Sequence, residues 1–189
     1  MVERKTVYFE KPGKLNTKAL LKAVKKYTET TGVRDIVVAS TLGETGAAAS
    51  KLFKGYNVVV VTHCTGFSTP GAQELEAEHR RQILKNGAKL FTGTHALSGV
   101  ERAIRKAFGT MEPLELIANT LRVMGEGTKV CVEIALMAAD AGLIPMDKDI
   151  IAIAGTGKGA DTALLIKPAN AARFFDLKIK EIIAKPSDF

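Results

Sequence analysis

Three stretches of the 189-residue chain carry side chains that could do chemistry, and each follows an apolar run. The first is Ser40-Thr41-Leu42-Gly43-Glu44-Thr45-Gly46-Ala47, which follows Ile36–Ala39 and leads into small residues. Read as strand, turn and helix, it leaves the first N–H groups of the helix unpaired, and the helix dipole favours an anion there. The hydroxyls of Thr41 and Thr45, with backbone N–H groups from Gly43 to Ala47, can cradle a phosphate, and glycine lets a ligand approach closely. The same residues fit a second arrangement. Thr41 and Glu44 can form a capping box that satisfies those N–H groups internally, and Glu44 would repel an anion. A place at the carboxyl end of a central strand favours the ligand.

The second stretch is Gly155-Thr156-Gly157-Lys158-Gly159-Ala160. It matches a dinucleotide-binding glycine pattern, but no long helix and no well-placed acidic residue follow. Lys158 precedes Gly159 and not Ser or Thr, so this is no P-loop. It is either a plain strand-to-strand turn or a source of N–H groups and one positive charge for the same ligand. The third stretch is His63-Cys64-Thr65-Gly66-Phe67, again after a strand. Adjacent residues on an extended chain point to opposite faces, so His63 and Cys64 do not activate each other by being neighbours. His95 can join the cluster, but no metal-ligand spacing is present and no metal is expected. A pocket wall is favoured over a catalytic dyad.

The elements that must position these turns alternate. Strands are expected at Thr6–Phe9, Asp35–Ala39, Asn57–Thr62 and Lys89–Thr92. A helix capped at Asn16 or Thr17 carries Leu20, Leu21, Val24 and Tyr27 and stops at Gly32. A second includes Ala47–Phe53. A third, very polar, spans Gln73–Asn86; it reads as a solvated face, with Gln73 and Glu74 at the pocket only if its start faces it. This alternation predicts a three-layer α/β/α sandwich with a mostly parallel sheet, as one domain over 1–189. A helical elaboration fills about 93–146, and Leu114, Ile117, Leu121 and Met124 mark one face of its helix from Pro113. The sheet resumes at Asp149–Ala154 and Thr162–Lys167. A helical turn at Ala169–Phe174 and a final edge strand at Leu177–Ala184 close the chain. The helix Thr128–Ala141 is apolar nearly all round. It either exposes Val132, Leu136 or Met137 at a contact between copies, which predicts a homo-oligomer, or is covered by the preceding helix.

Composition narrows the function classes. The net charge of +7 is spread along helix surfaces, with no Trp and no aromatic stripe among the basic residues. That argues against nucleic acid and for mild attraction of anionic metabolites. No apolar run is long enough for a membrane span and the charged start is no signal peptide, so a cytoplasmic protein is expected. Cys64 and Cys131 form neither a disulfide framework nor a zinc motif.

Two of the stretches together resemble the C-terminal domain of pyruvate kinases. These are Asp35 to His63, with Thr45-Gly46-Ala47, and Ile150 to Lys167, with Ala-Gly-Thr-Gly-Lys at 154–158. The resemblance covers the sheet elements and not the helices between Gly93 and Met146, which that domain lacks. It implies loops that hold a phosphorylated effector, and no kinase activity, because the kinase active site lies in a barrel absent here. The sequence is still more similar to a group of stand-alone archaeal proteins of this fold associated with flavin mononucleotide (FMN). That resemblance implies FMN as the leading ligand, and with it a flavin-dependent oxidoreductase; the alternative is a non-catalytic sensor or assembly module for a phosphorylated metabolite. The kinase loop commonly has Arg after its Ser/Thr-Gly pair, where this chain has Ala47. The phosphate then relies on N–H groups, hydroxyls and Lys158, which favours a single phosphate over a doubly phosphorylated sugar. The expected binding residues are Ser40, Thr41, Gly43, Glu44, Thr45, Gly46, Ala47, His63, Thr65, Gly66, Phe67, Gly155, Thr156, Gly157 and Lys158.

Overall fold

The β-branched runs build the centre of the molecule. In a computed structural model that describes residues 1 and 3–189, β2 (Asp35–Ala39), β3 (Asn57–Val61) and β5 (Ile150–Ala154) lie side by side and parallel. Val37 pairs with Val59 on one side and Ala152 on the other. Such strands meet no water on either face, which is why they read as continuous apolar runs. β4 (Lys89–Phe91) adds parallel to β3. β6 (Thr162–Lys167) turns back antiparallel on β5.

β7 (Lys178–Pro186) follows antiparallel on β6, and β1 (Val7–Phe9) runs parallel to β7. The order is therefore β1-β7-β6-β5-β2-β3-β4. The strand expected over Leu177–Ala184 exists, but it is not an edge. The short β1 covers it, with Val7 opposite Ala184. Short outer strands limit the unpaired backbone an edge presents.

Successive side chains of each strand go to opposite faces. Ile36, Val38, Val58 and Val60 pack with α1 (Thr17–Thr31), α2 (Glu44–Leu52) and α3 (Ala77–Lys85). Val37, Val59, Ile150 and Ala152 pack with α6 (Glu126–Asp140). The helix expected from Gln73 starts only at Ala77. The Glu76 N–H donates to the Leu42 carbonyl, and the Gln73 amide donates to the His63 carbonyl. These bonds tie residues 73–76 to the loops after β2 and β3 in place of a first helical turn.

Between β4 and β5 lie α4 (Glu101–Phe108), α5 (Pro113–Arg122) and α6. The side chains that an outer α6 would expose are covered: Val132 is 0 %, Leu136 1 % and Met137 4 % exposed. Ile117, Ala118 and Leu121 of α5 close over Val132 and Leu136, while the sheet covers the opposite face. The observation that predicted self-association is thus removed, and the covering by the preceding helix is what the fold contains. Met124 lies beyond α5 and is exposed. Exposed apolar side chains of this region lie on and around α4, at Val100, Phe108 and Met111, and on and after α5, at Leu116 and Val123. Among the described residues no helix is long and apolar enough to cross a membrane.

Candidate functional site

All four parallel central strands end on one edge, so the loops after β2, β3, β4 and β5 meet there. A cavity of about 610 Å³ opens between them and the helices α4 to α6. That size suits a nucleotide or a similar small molecule.

The wall after β2 is built by a cap that the capping-box reading does not describe. Ser40 Oγ accepts the Gly46 N–H at 3.0 Å, and the Ala47 N–H donates to the Gly43 carbonyl at 2.8 Å. Neither amide is free for a ligand, which corrects the expectation for Gly46 and Ala47. Gly46 is small for another reason. A Cβ there would lie 2.6 Å from Val60 Cγ1 and 3.1 Å from Ile83 Cδ1, so the residue lets α2 sit down on the sheet. Gly43 has φ +107° and a Cβ would strike His79, so this position needs glycine on both counts. Among the described residues nothing accepts from the amides of Gly43, Glu44 and Thr45, which stay as donors at the start of α2. Glu44 is paired with Lys14, whose hydrogen bond and charge hold its carboxyl below the usual range. The negative charge at the helix start is thereby offset.

The turn after β5 is held by a carboxylate. Asp161 is fully buried, and Oδ2 accepts N–H bonds from Gly13 at 2.8 Å and Thr156 at 3.0 Å. Its Oδ1 accepts the Thr162 hydroxyl at 2.7 Å. The Thr156 amide is therefore consumed, and Thr156 does not line the cavity, whereas Gly155, Gly157 and Lys158 do. A Cβ on Gly155 would meet the Gly159 carbonyl at 2.7 Å, and one on Gly159 would meet Lys14 Cα at 2.5 Å. These glycines fold the turn onto itself and onto the start of α1.

The third wall places His63 and Phe67 at the cavity, with Thr65 and Gly66 outside it. His63 Nδ1 lies 2.7 Å from Glu74 Oε2, and Nε2 lies 3.3 Å from Thr41 Oγ1. Glu74 Oε1 also accepts from Ser68 Oγ at 3.1 Å. The His63 hydrogen bond, with Ser68 in support, holds the Glu74 carboxyl below its usual range. Phe67 sits 4.0 Å from the His63 ring and 5.1 Å from the His95 ring, and the Arg102 guanidinium lies 4.4 Å from its centroid. Burial pushes the His95 imidazole down, against the pull of nearby Glu133. His95 Nε2 accepts the backbone N–H of Cys64 and not its thiol, so the two make no nucleophile–base pair.

The fourth wall was not foreseen. Glu126, Lys129, Val130, Glu133, Ile134 and Met137 recur at helical spacing along α6 and face the cavity. Lys129 and Glu133 are 7 % and 4 % exposed and pair at 2.6 Å, and Glu133 Oε1 also accepts the Leu97 N–H. Burying two charges is tolerated only with such pairing and bonding. Arg105 pairs with Glu115 at 2.8 Å and Arg122 pairs with Glu126. The sequence signal was an i,i+4 Lys–Glu pair inside an otherwise apolar helix. Two cations of the lining, Arg102 and Lys158, pair with no carboxylate among the described residues. No group of three His, Cys, Asp or Glu among the described residues is placed to hold a metal.

Comparison with known proteins places these features. A family model described as pyruvate kinase, alpha/beta domain, matches residues 18–166, from within α1 to β6, so β1 and β7 lie outside the match. Among solved structures, a pyruvate kinase from Cryptosporidium parvum is 13 % identical over 79 % of this chain and 22 % of its own, with a TM-score of 0.38. A Cryptosporidium parvum pyruvate kinase in complex with ADP is 14 % identical over the same shares, also at 0.38. An O-ureido-L-serine synthase is 20 % identical over 66 % of this chain and 48 % of its own, at 0.32. The chain spans about 22 % of the length of those kinases.

Proposed function

The chain belongs to the pyruvate kinase alpha/beta-domain family, and from that premise we propose that its cavity binds a phosphorylated, nucleotide-like ligand, with FMN foremost. One observation carries the reading. The start of α2 keeps the amides of Gly43, Glu44 and Thr45 as donors, at the mouth of a cavity of about 610 Å³. Oriented N–H groups at a helix start suit a phosphate. Lys158, in the turn after the neighbouring strand β5, adds a positive charge to the cavity lining, and Lys14 offsets Glu44.

The rest of the lining fits the remainder of such a ligand. His63 offers a ring face for a planar heterocycle, backed by Phe67 at 4.0 Å, whose own ring Arg102 covers. Stacking and cation–π contact favour a flat, polarisable group there. Bound FMN would supply hydride and single-electron chemistry, so the corresponding activity is that of a flavin-dependent oxidoreductase. The chain's own part is to bind the phosphate, orient the ring and shield it from water.

The test is optical. Freshly purified protein should absorb in the flavin bands, and apo-protein titrated with FMN should quench flavin fluorescence to saturation. Saturable binding of adenosine monophosphate with no response to FMN would keep the phosphate cradle and move the reading to a metabolite sensor. No response to either compound ends the proposal.

A further inference from the structure

Thr41, His63 and Glu74 stand in a line of which the flavin reading uses only the His63 ring face. Glu74 Oε2 is 2.7 Å from His63 Nδ1, and His63 Nε2 is 3.3 Å from the Thr41 hydroxyl. The three residues come from the loop after β2, the loop after β3 and the segment before α3. Glu74 is fixed from its other side by Ser68, so its carboxylate has a set direction. An ionised carboxylate on Nδ1 assigns the ring proton to that nitrogen. Nε2 is then left as an acceptor, facing a hydroxyl at the cavity wall. This is the order of a nucleophile, its base and the group that orients the base. A spacing of 3.3 Å is normal for such a pair before substrate arrives.

We propose that Thr41, His63 and Glu74 form a hydroxyl–imidazole–carboxylate relay that cleaves esters, and that its substrates are esters bearing an anionic group. The inference goes beyond the flavin reading and shares with it the anion-holding donors, the His63 ring and the cations Arg102 and Lys158. In the first step Thr41 Oγ bonds to the acyl carbon while its proton passes to His63 Nε2. The ester C–O bond then breaks, and the departing alkoxide takes that proton from His63. In the second step a water gives a proton to Nε2 and attacks the acyl carbon. The acyl–Oγ bond breaks, Thr41 regains its proton, and a carboxylic acid leaves. The sum is ester plus water to acid plus alcohol.

The surroundings supply what the step needs. The amides of Gly43, Glu44 and Thr45 follow Thr41 along the same wall and can receive the oxyanion, the use such donors have in acyl transfer. Arg102 and Lys158, the unpaired cations of the lining, select a substrate with negative charge. Thr41 and His63 are the catalytic residues. Glu74 acts through His63 and is a positioning residue.

The experiment uses the full chain and two 4-nitrophenyl esters, the neutral acetate and the anionic hydrogen glutarate. Nitrophenolate release above buffer is expected, faster with the glutarate, together with an acyl adduct that peptide mass spectrometry places on Thr41. Thr41→Val should lose about 100-fold or more in release, and His63→Gln a similar factor. Glu74→Gln should lower kcat with KM unchanged, and Glu74→Asp should recover part of the loss, which a merely structural carboxylate would not produce. Thr41→Ser should retain release and carry the adduct at position 41; it decides the matter if Thr41→Val fails to fold. An adduct on lysine, equal release by a folded Thr41→Val, or no release above buffer overturns the relay. Equal turnover of the two esters overturns the anionic substrate class. Flavin absorbance is read separately, so failure of either proposal leaves the other measurable.

Discussion

The two glycine-bearing turns at the cavity are alike in composition and opposite in construction. The turn after β2 opens a helix, and its donors exist because an α-helix leaves its first amides without partners. Ser40 takes one of them, and the amides of Glu44 and Thr45 stay available within that first turn. The turn after β5 opens no helix and returns at once into antiparallel β6. Its amides have no common direction until a buried carboxylate, Asp161, gathers the turn and the chain near Gly13 around itself. The comparison teaches that glycine at a strand end is a signal of crowding first. Gly46, Gly155 and Gly159 are each small because backbone or core side chains press on them. Donors for a ligand are what remains after that packing is satisfied.

The largest effect should come from the carboxylate that organises the second turn. Asp161→Ala leaves the Gly13 and Thr156 amides and the Thr162 hydroxyl without an acceptor, and should cost about 3 kcal/mol or more. Urea unfolding measures this, and a loss under about 1 kcal/mol would show that the turn holds without Asp161. Ser40→Ala in the first turn removes a single cap and should cost only about 1 kcal/mol. If the two losses were equal, the contrast between a helix-built and a carboxylate-built turn would fail.

The glycines provide the next comparison. Gly46→Ala drives a methyl into Val60 and Ile83 and should destabilise by about 1–3 kcal/mol. Gly157→Ala meets open space at φ +71°, so only the backbone strain of about 1 kcal/mol applies. Thermal unfolding of the pair should rank them in that order; the reverse order would mean that α2 gives way more easily than its packing indicates. The smallest effect concerns charge. Lys158→Ala should weaken FMN binding by a few-fold at low salt and less at high salt, because salt already screens an exposed charge. Equal weakening at both ionic strengths would assign the Lys158 contribution to turn structure and not to a phosphate contact.

Much of the scaffold was legible because its cause is local. Ile36–Ala39, Asn57–Val61 and Ile150–Ala154 are runs that only a strand buried on both faces needs, and their bounds come close to those expected. Gly32 with φ +75° ends α1 where the apolar stripe ends. The two turns were identifiable from glycine and hydroxyl residues at strand ends. The place of β7 was not legible, since nothing in Leu177–Ala184 says that β1 will pair on its far side.

The rest depended on contacts between segments distant in sequence. His63 and Glu74 meet because residues 73–76 are drawn out of the expected helix by the Leu42 and His63 carbonyls. Lys129 and Glu133 lie in a helix whose composition predicts burial, and only the packing of α5 and the sheet around it turns their shared face to the cavity. Asp161 has no local signal, because its three donors are brought to it by the start of the chain, the β5 turn and β6. The sequence by itself determined which segments are strands and helices and which strand ends carry glycine and hydroxyl turns, since side-chain period and backbone propensity act over a few residues. The tertiary structure decided which amides stay free, which charges are buried in pairs and which histidine faces a carboxylate, because hydrogen-bond satisfaction and desolvation depend on every group within a few ångströms, whatever its distance along the chain.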